Sequence, residues 1–243
     1  MPFDTLFENK GDFMVIKITD KCNMSCAHCG MNSTIKGKHM PREIWEQALK
    51  LGQERGDDLT ISGGEPTLHP EFKTILFDCI AKFENVWMAT NGSQTEISLV
   101  LANLAKKGVL GVALSRDIYH DPIDPKVVMA FTKDAMHFRH DADHDSREIR
   151  DVTGREIISG RQKTGTRYCI CSDIVILPNG DIKACGCKSS LSFGTVFNPQ
   201  IPDDYENGEC YGSNKSNKKH LSEIIASGTE AFKQGHKELA ETT

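Results

Sequence analysis

Seven of the chain's nine cysteines fall into two groups. Cys22, Cys26 and Cys29 lie within eight residues in the spacing C-x-x-x-C-x-x-C, and Cys169, Cys171, Cys185 and Cys187 lie within nineteen as two C-x-C pairs. In a reducing compartment, thiols this concentrated are metal ligands rather than disulfides. Three thiolates on one loop leave one metal position open. A structural zinc site closes with four protein ligands, whereas an iron–sulfur cubane held by three thiolates keeps one iron free for a cofactor or substrate. His28 could complete a zinc site, but its place directly beside Cys29 strains ligation of one ion by both. The spacing therefore favours a cluster.

The elements that must position these residues can be read from the pattern around them. Phe13 to Thr19 reads as a buried strand, and the first cysteine group follows it at once, in the loop after its carboxyl end. A helix follows with Pro41 near its first turn and Gly56 placed to stop it. Asp58 to Ser62 is a second strand, leading to the turn Gly63-Gly64. In the next helix Phe72, Ile75, Leu76, Cys79, Ile80 and Phe83 recur at helical spacing, which makes Cys79 a core residue rather than a ligand. Val86 to Thr90 is a third strand ending in Asn91-Gly92. Ser93 with Glu96 predicts a capping box for a helix through Leu104, closed by Gly108. Val109 to Leu114 is a fourth strand, and Asp124-Pro125 starts a helix running to near Phe138.

Four strand–helix alternations predict a parallel α/β sheet, either open or part of a barrel. Beyond them the pattern weakens. Short strands are expected near Glu148 to Val152 and Glu156 to Ser159, and His137, His140 and His144 read as solvated residues of a charged segment. Asp173 to Ala184 predicts a hairpin turning at Asn179-Gly180, a different construction from the preceding repeats and hence a small second module. The tail from His220 is a helix interrupted by Gly228 and Gly235.

A length of 243 residues suits one catalytic domain with a small appendage. The net charge of -5 supplies no broad basic field for nonspecific nucleic-acid binding. No apolar run reaches membrane-spanning length and the first residues lack a secretory pattern, so a cytoplasmic setting with no membrane partner is expected.

Three motifs in order carry a resemblance. The C-x-x-x-C-x-x-C loop follows the first strand, Gly63-Gly64-Glu65-Pro66 follows the second, and Thr90-Asn91-Gly92 ends the third. In this the chain resembles the radical S-adenosylmethionine (SAM) superfamily. The resemblance implies a partial (β/α)6-type barrel over residues 1–165, with a four-iron four-sulfur cluster on Cys22, Cys26 and Cys29 whose open iron binds SAM. It implies that Gly63, Gly64 and Glu65 contact the methionyl amino group and that His28, where the family usually has an aromatic residue, lies by the adenine. Asn91, Ser115 and Arg116 are candidates for the rest of the cofactor, and Arg161 for its carboxylate.

Residues 166–243 resemble the start of a SPASM extension or its shortened twitch form, which binds auxiliary iron–sulfur clusters. One auxiliary cluster is implied, on Cys169, Cys185 and Cys187 with Cys171 or Cys210 as the fourth ligand. A zinc ribbon would more often use C-x-x-C knuckles. The implied activity is reductive cleavage of SAM to a 5'-deoxyadenosyl radical that abstracts hydrogen from a peptide or amino-acid-like group, with the electron supplied by a donor such as flavodoxin or ferredoxin. A nucleotide or modified-base substrate is the alternative within the enzyme class. A noncatalytic metal-binding module is the alternative outside it.

Overall fold

The computed structural model describes residues 14–56, 58–133, 144–151, 153, 174–186 and 190–202. Strand and helix alternate through β1 (Met14–Lys17), α1 (Arg42–Arg55), β2 (Asp58–Ser62), a 3-10 turn (Pro66–Leu68), α2 (Phe72–Lys82), β3 (Asn85–Thr90), α3 (Thr95–Lys106), β4 (Gly111–Ser115), α4 (Pro125–Phe131) and β5 (Arg147–Arg150). After them come β6 (Ile174–Ile176), β7 (Asp181–Lys183), β8 (Ser192–Thr195) and β9 (Asn198–Pro199).

All nine strands join one sheet in the order β5-β4-β3-β2-β1-β6-β7-β8-β9. The pairings from β5 through β6 are parallel, with Ile16 opposite both Ile61 and Ile176, and those from β6 to β9 are antiparallel. The sheet is not closed: β5 and β9 are its two edges. Parallel strands bury both faces, which accounts for the apolar runs in β1, β3 and β4. Ile16, Ile61, Met88, Val112 and Leu114 are wholly inaccessible. Trp45 and Ala48 of α1, Phe72, Ile75 and Cys79 of α2, and Leu101 and Ala105 of α3 complete the same core. Burying each large apolar side chain contributes roughly 1.5–3 kcal/mol, and burial pushes the Cys79 thiol far above its ordinary pKa.

β6 pairs in parallel with β1, so the sheet runs from the strand–helix repeats into the hairpin of β6 and β7 without a break. Three finer expectations are corrected. α4 ends at Phe131, where Thr132 adopts extended backbone, short of the expected Phe138. The fourth strand begins at Gly111 rather than Val109, since Gly108 takes a left-handed turn (φ +68°) that leaves Val109 N–H bonded back to Leu104. No Ser93/Glu96 capping box forms: α3 starts at Thr95 with Gln94 as its cap, and the Ser93 hydroxyl is bonded to Asn23 instead. The expected strand at 156–159 and the tail helix lie outside the described residues.

Candidate functional site

Because β1 to β5 are parallel, the loops after them emerge at one edge of the sheet, where strand–helix folds assemble their sites. The cysteine loop is closed at its neck by main-chain bonds: Asp20 N–H to Lys38 O, Cys22 N–H to Thr34 O, Thr34 N–H to Asp20 O and Met40 N–H to Ile18 O, at 2.8–3.2 Å. Gly37 lies so close over Asp20 that a Cβ there would sit 2.1 Å from its carbonyl carbon. Only glycine fits that crossing.

The turn after β2 is bonded to this loop. Gly64 N–H donates to Thr19 O at 2.8 Å and Glu65 N–H to Lys21 O at 2.9 Å. A Cβ on Gly64 would meet Lys21 O at 2.4 Å and Ser33 Cβ at 2.8 Å. This glycine's close approach is to the cysteine loop.

Glu65 is buried, at 1% exposure. Its Oε1 accepts from Thr67 N–H (3.2 Å), Thr67 Oγ1 (2.6 Å) and Thr90 Oγ1 (2.8 Å), while Oε2 accepts from Asn91 N–H at 2.6 Å. Burial pushes the carboxyl upward from its ordinary pKa, and these donors pull it back. Glu65 therefore ties the end of β2 to the end of β3.

Asn91 continues the connection. Its Oδ1 accepts from Ser93 N–H at 3.0 Å, and its Nδ2 donates to Asn23 Oδ1 at 3.0 Å and faces Cys22 Sγ at 3.9 Å. Cys22 is the most buried cysteine of the group, and its sulfur also accepts from Met24 N–H at 3.5 Å. The Cys26 thiol is pushed up to about 11, first by burial and next by neighbouring Cys22.

Cys22, Cys26, Cys29, His28, Gly63, Gly64, Glu65, Asn91 and Ser115 all line one cavity of about 200 Å³. The structure thus brings together nearly every site residue expected in this half of the chain. Arg116 is exposed and lines a neighbouring cavity of about 420 Å³, which shares Asn91, Ser115 and His120 with the first. Trp87 and Arg150 also line the smaller cavity. Sequence reasoning passed over both, since they sit inside and at the end of strands without a motif around them.

His28 packs its ring on Tyr119 (centroids 4.7 Å apart) and edge-on to His120 (5.2 Å). Asp117, its side chain inaccessible, lies 3.5 Å from His28 Nε2 and 2.7 Å from His120 Nδ1. These three ligand atoms lie within 4.8 Å of one another, the spacing of a single ion's ligands; among the described residues, the cysteine sulfurs do not form such a set. Asp117, Tyr119 and His120 were missed because the acid and the rings are spaced along a loop that shows no element of its own. The only advance signal was their place just after β4.

Cys185 follows β7 and is buried, with Ser190 Oγ donating to its carbonyl. A Cβ on the next residue, Gly186, would meet Met31 Cε at 2.9 Å, so the hairpin end lies against the cysteine loop. Arg161, Cys169, Cys171, Cys187 and Cys210 lie outside the described residues.

Comparison with known proteins bears on the family and the fold. Curated relatives include the GTP 3',8-cyclase of Haemophilus influenzae (strain PittEE), 26% identical over 52% of this chain and 38% of its own length. The mycofactocin maturase MftC of Mycolicibacterium smegmatis (strain ATCC 700084 / mc(2)155) is 32% identical over 42% of this chain and 26% of its own. The chain therefore spans only about a quarter to two-fifths of these relatives. Among solved structures, hexahistidine-tagged anSMEcpe with bound AdoMet shares the fold, with a TM-score of 0.53 at 15% identity over 82% of this chain and 81% of that one. The family model described as the Radical SAM superfamily matches residues 16–157. From Ile16 in β1 to beyond β5, then, this chain belongs to the radical SAM superfamily.

Proposed function

We propose that the protein is a radical SAM enzyme acting on a peptide. Superfamily membership implies a four-iron four-sulfur cluster and SAM. The residues fit such a cluster: three thiols line one cavity with His28 and the Gly63-Gly64-Glu65 turn. Cys22, Cys26 and Cys29 would hold it. When bound, the pair supplies reductive cleavage of SAM and a 5'-deoxyadenosyl radical.

This chain's residues place and shelter that chemistry. The Gly63-Gly64-Glu65 turn and Ser115 bound the cofactor cavity, and His28, held by Tyr119 and Asp117, offers a ring face for the adenine. Trp87 and Ile61 line the same cavity and limit water at the reacting centre.

The observation that carries the peptide reading is the 420 Å³ cavity alongside. Pro122, Ile123, Pro125, Val128 and Met129 give it an apolar wall, and its exposed charged lining is one guanidinium, Arg116, against one carboxylate, Asp121. That balance suits a side chain on a peptide better than a nucleoside triphosphate. The relatives point the same way: a mycofactocin maturase, the subtilosin biosynthesis protein AlbA of Bacillus subtilis (strain 168), and a solved anSMEcpe complex with the Kp18Cys peptide. A nucleotide substrate is the second reading, supported by the GTP 3',8-cyclase relative.

The proposal includes a cytoplasmic setting, an electron donor of the flavodoxin or ferredoxin type, and a twitch-like extension over residues 166–243 carrying one auxiliary cluster. Buried Cys185 would be one of its ligands. No helix among the described residues is long and apolar enough to cross a membrane. The test is isotope transfer: with uniformly deuterated peptide mixtures, deuterium should appear in 5'-deoxyadenosine. Transfer from deuterated nucleotides and none from peptides would replace this reading with the second.

A further inference from the structure

We propose that Asn91 is a positioning residue for Cys22, and that its side-chain amide raises the reduction potential of the cluster that Cys22 helps to hold. The inference rests on the assignment of Cys22, Cys26 and Cys29 as cluster ligands, and adds a role for a residue that the sequence suggested only as a cofactor contact.

The orientation of the Asn91 amide follows from its neighbours. Its Oδ1 takes the Ser93 main-chain N–H at 3.0 Å, which leaves Nδ2 to face Asn23 Oδ1 (3.0 Å) and Cys22 Sγ (3.9 Å). A flipped amide would set oxygen against oxygen at Asn23 and nitrogen against N–H at Ser93. The main chain of Asn91 is itself fixed by the buried carboxylate of Glu65 at 2.6 Å. The N–H that points at the thiol is thus held from two sides, and Asn91 is buried at 6% exposure.

A hydrogen bond to a cluster thiolate stabilises the reduced, more negative state more than the oxidised one. Burial of Cys22 strengthens the effect by removing competing water. Removing the Asn91 donor should therefore make the cluster harder to reduce. Ser93 bonds to Asn23 without contacting the sulfur, so removing its hydroxyl should leave the potential where it was.

The experiment is an EPR-monitored redox titration, without SAM, of the full chain reconstituted anaerobically with iron and sulfide, in wild type, N91A, N91D and S93A. N91D keeps the side-chain shape and the bond from Ser93 while losing the donor, so it serves if N91A fails to fold. The expected result is a shift to more negative potential in both Asn91 variants and none in S93A. A cluster-loaded Asn91 variant at the wild-type potential would overturn the inference. Failure of the wild type to hold any cluster would overturn the cluster assignment and this inference together.

Discussion

Glu65 Oε2 accepts the main-chain N–H of Asn91 at 2.6 Å, so a carboxylate from the turn after β2 sets the position of the residue that follows β3. Both residues line the cavity beside the cysteine loop, and each of the two carboxylate oxygens has at least one donor.

This predicts the consequence of Glu65→Gln. The shape is retained, but an amide NH₂ must face either the Asn91 N–H or the three donors of Thr67 and Thr90. Leaving buried donors unmatched costs roughly 1–3 kcal/mol. Urea denaturation should show a loss of that size for E65Q and a larger one for E65A; unchanged midpoints would refute the welding role.

Gly64→Ala should act on the cysteine loop rather than on cofactor affinity alone. Its Cβ would stand 2.4 Å from Lys21 O, next to Cys22, and Lys21 is main chain that cannot swing aside. Forcing the two loops apart costs on the order of 1–3 kcal/mol and should lower the iron bound per chain on reconstitution. Full iron content with only weakened SAM binding would show that the glycine serves the ligand instead.

His28 lines the cavity with its ring packed against Tyr119. H28F should keep SAM affinity within about threefold and H28A should weaken it about tenfold, the scale of one lost stacking contact of roughly 0.5–1.5 kcal/mol. Equilibrium dialysis of reconstituted protein with labelled SAM measures both. Equal losses in the two variants would show that the imidazole nitrogens matter more than the ring.

His39 gives the fold a pH dependence. Burial first, then His69 and Lys21, holds its pKa below the ordinary value, and its Nδ1 lies 2.9 Å from Thr19 Oγ1 at the neck of the cysteine loop. The unfolded chain therefore binds the proton more readily. The stability this group contributes is complete above the ordinary histidine pKa and is lost as pH falls through the depressed one. Wild type should lose more stability than His39→Asn between about pH 7.5 and pH 5; parallel pH profiles would contradict it.

Much of this site was legible because its motifs are contiguous. The cysteine spacing, the glycine pair and Asn91-Gly92 each follow a strand whose apolar run is plain, and parallel pairing then carries them to one edge. What escaped notice depends on distance in sequence. Nothing near Asp117 indicates that it lies between His28, eighty-nine residues earlier, and His120. Gly64 was legible as special, but its partner Lys21 was not, because that clash exists only after the loops meet. The parallel pairing of β6 with β1 was hidden for the same reason: a hairpin pattern fixes the pairing of its own two strands and says nothing of a third.

The central claim is that Cys22, Cys26 and Cys29 support radical cleavage of SAM. The most direct measurement is 5'-deoxyadenosine formed after anaerobic reconstitution, dithionite and SAM, in wild type and in a C22A/C26A/C29A variant. Product is expected from wild type and none from the variant. Equal product from both, or zinc in place of iron in the wild-type protein after anaerobic expression, would contradict it.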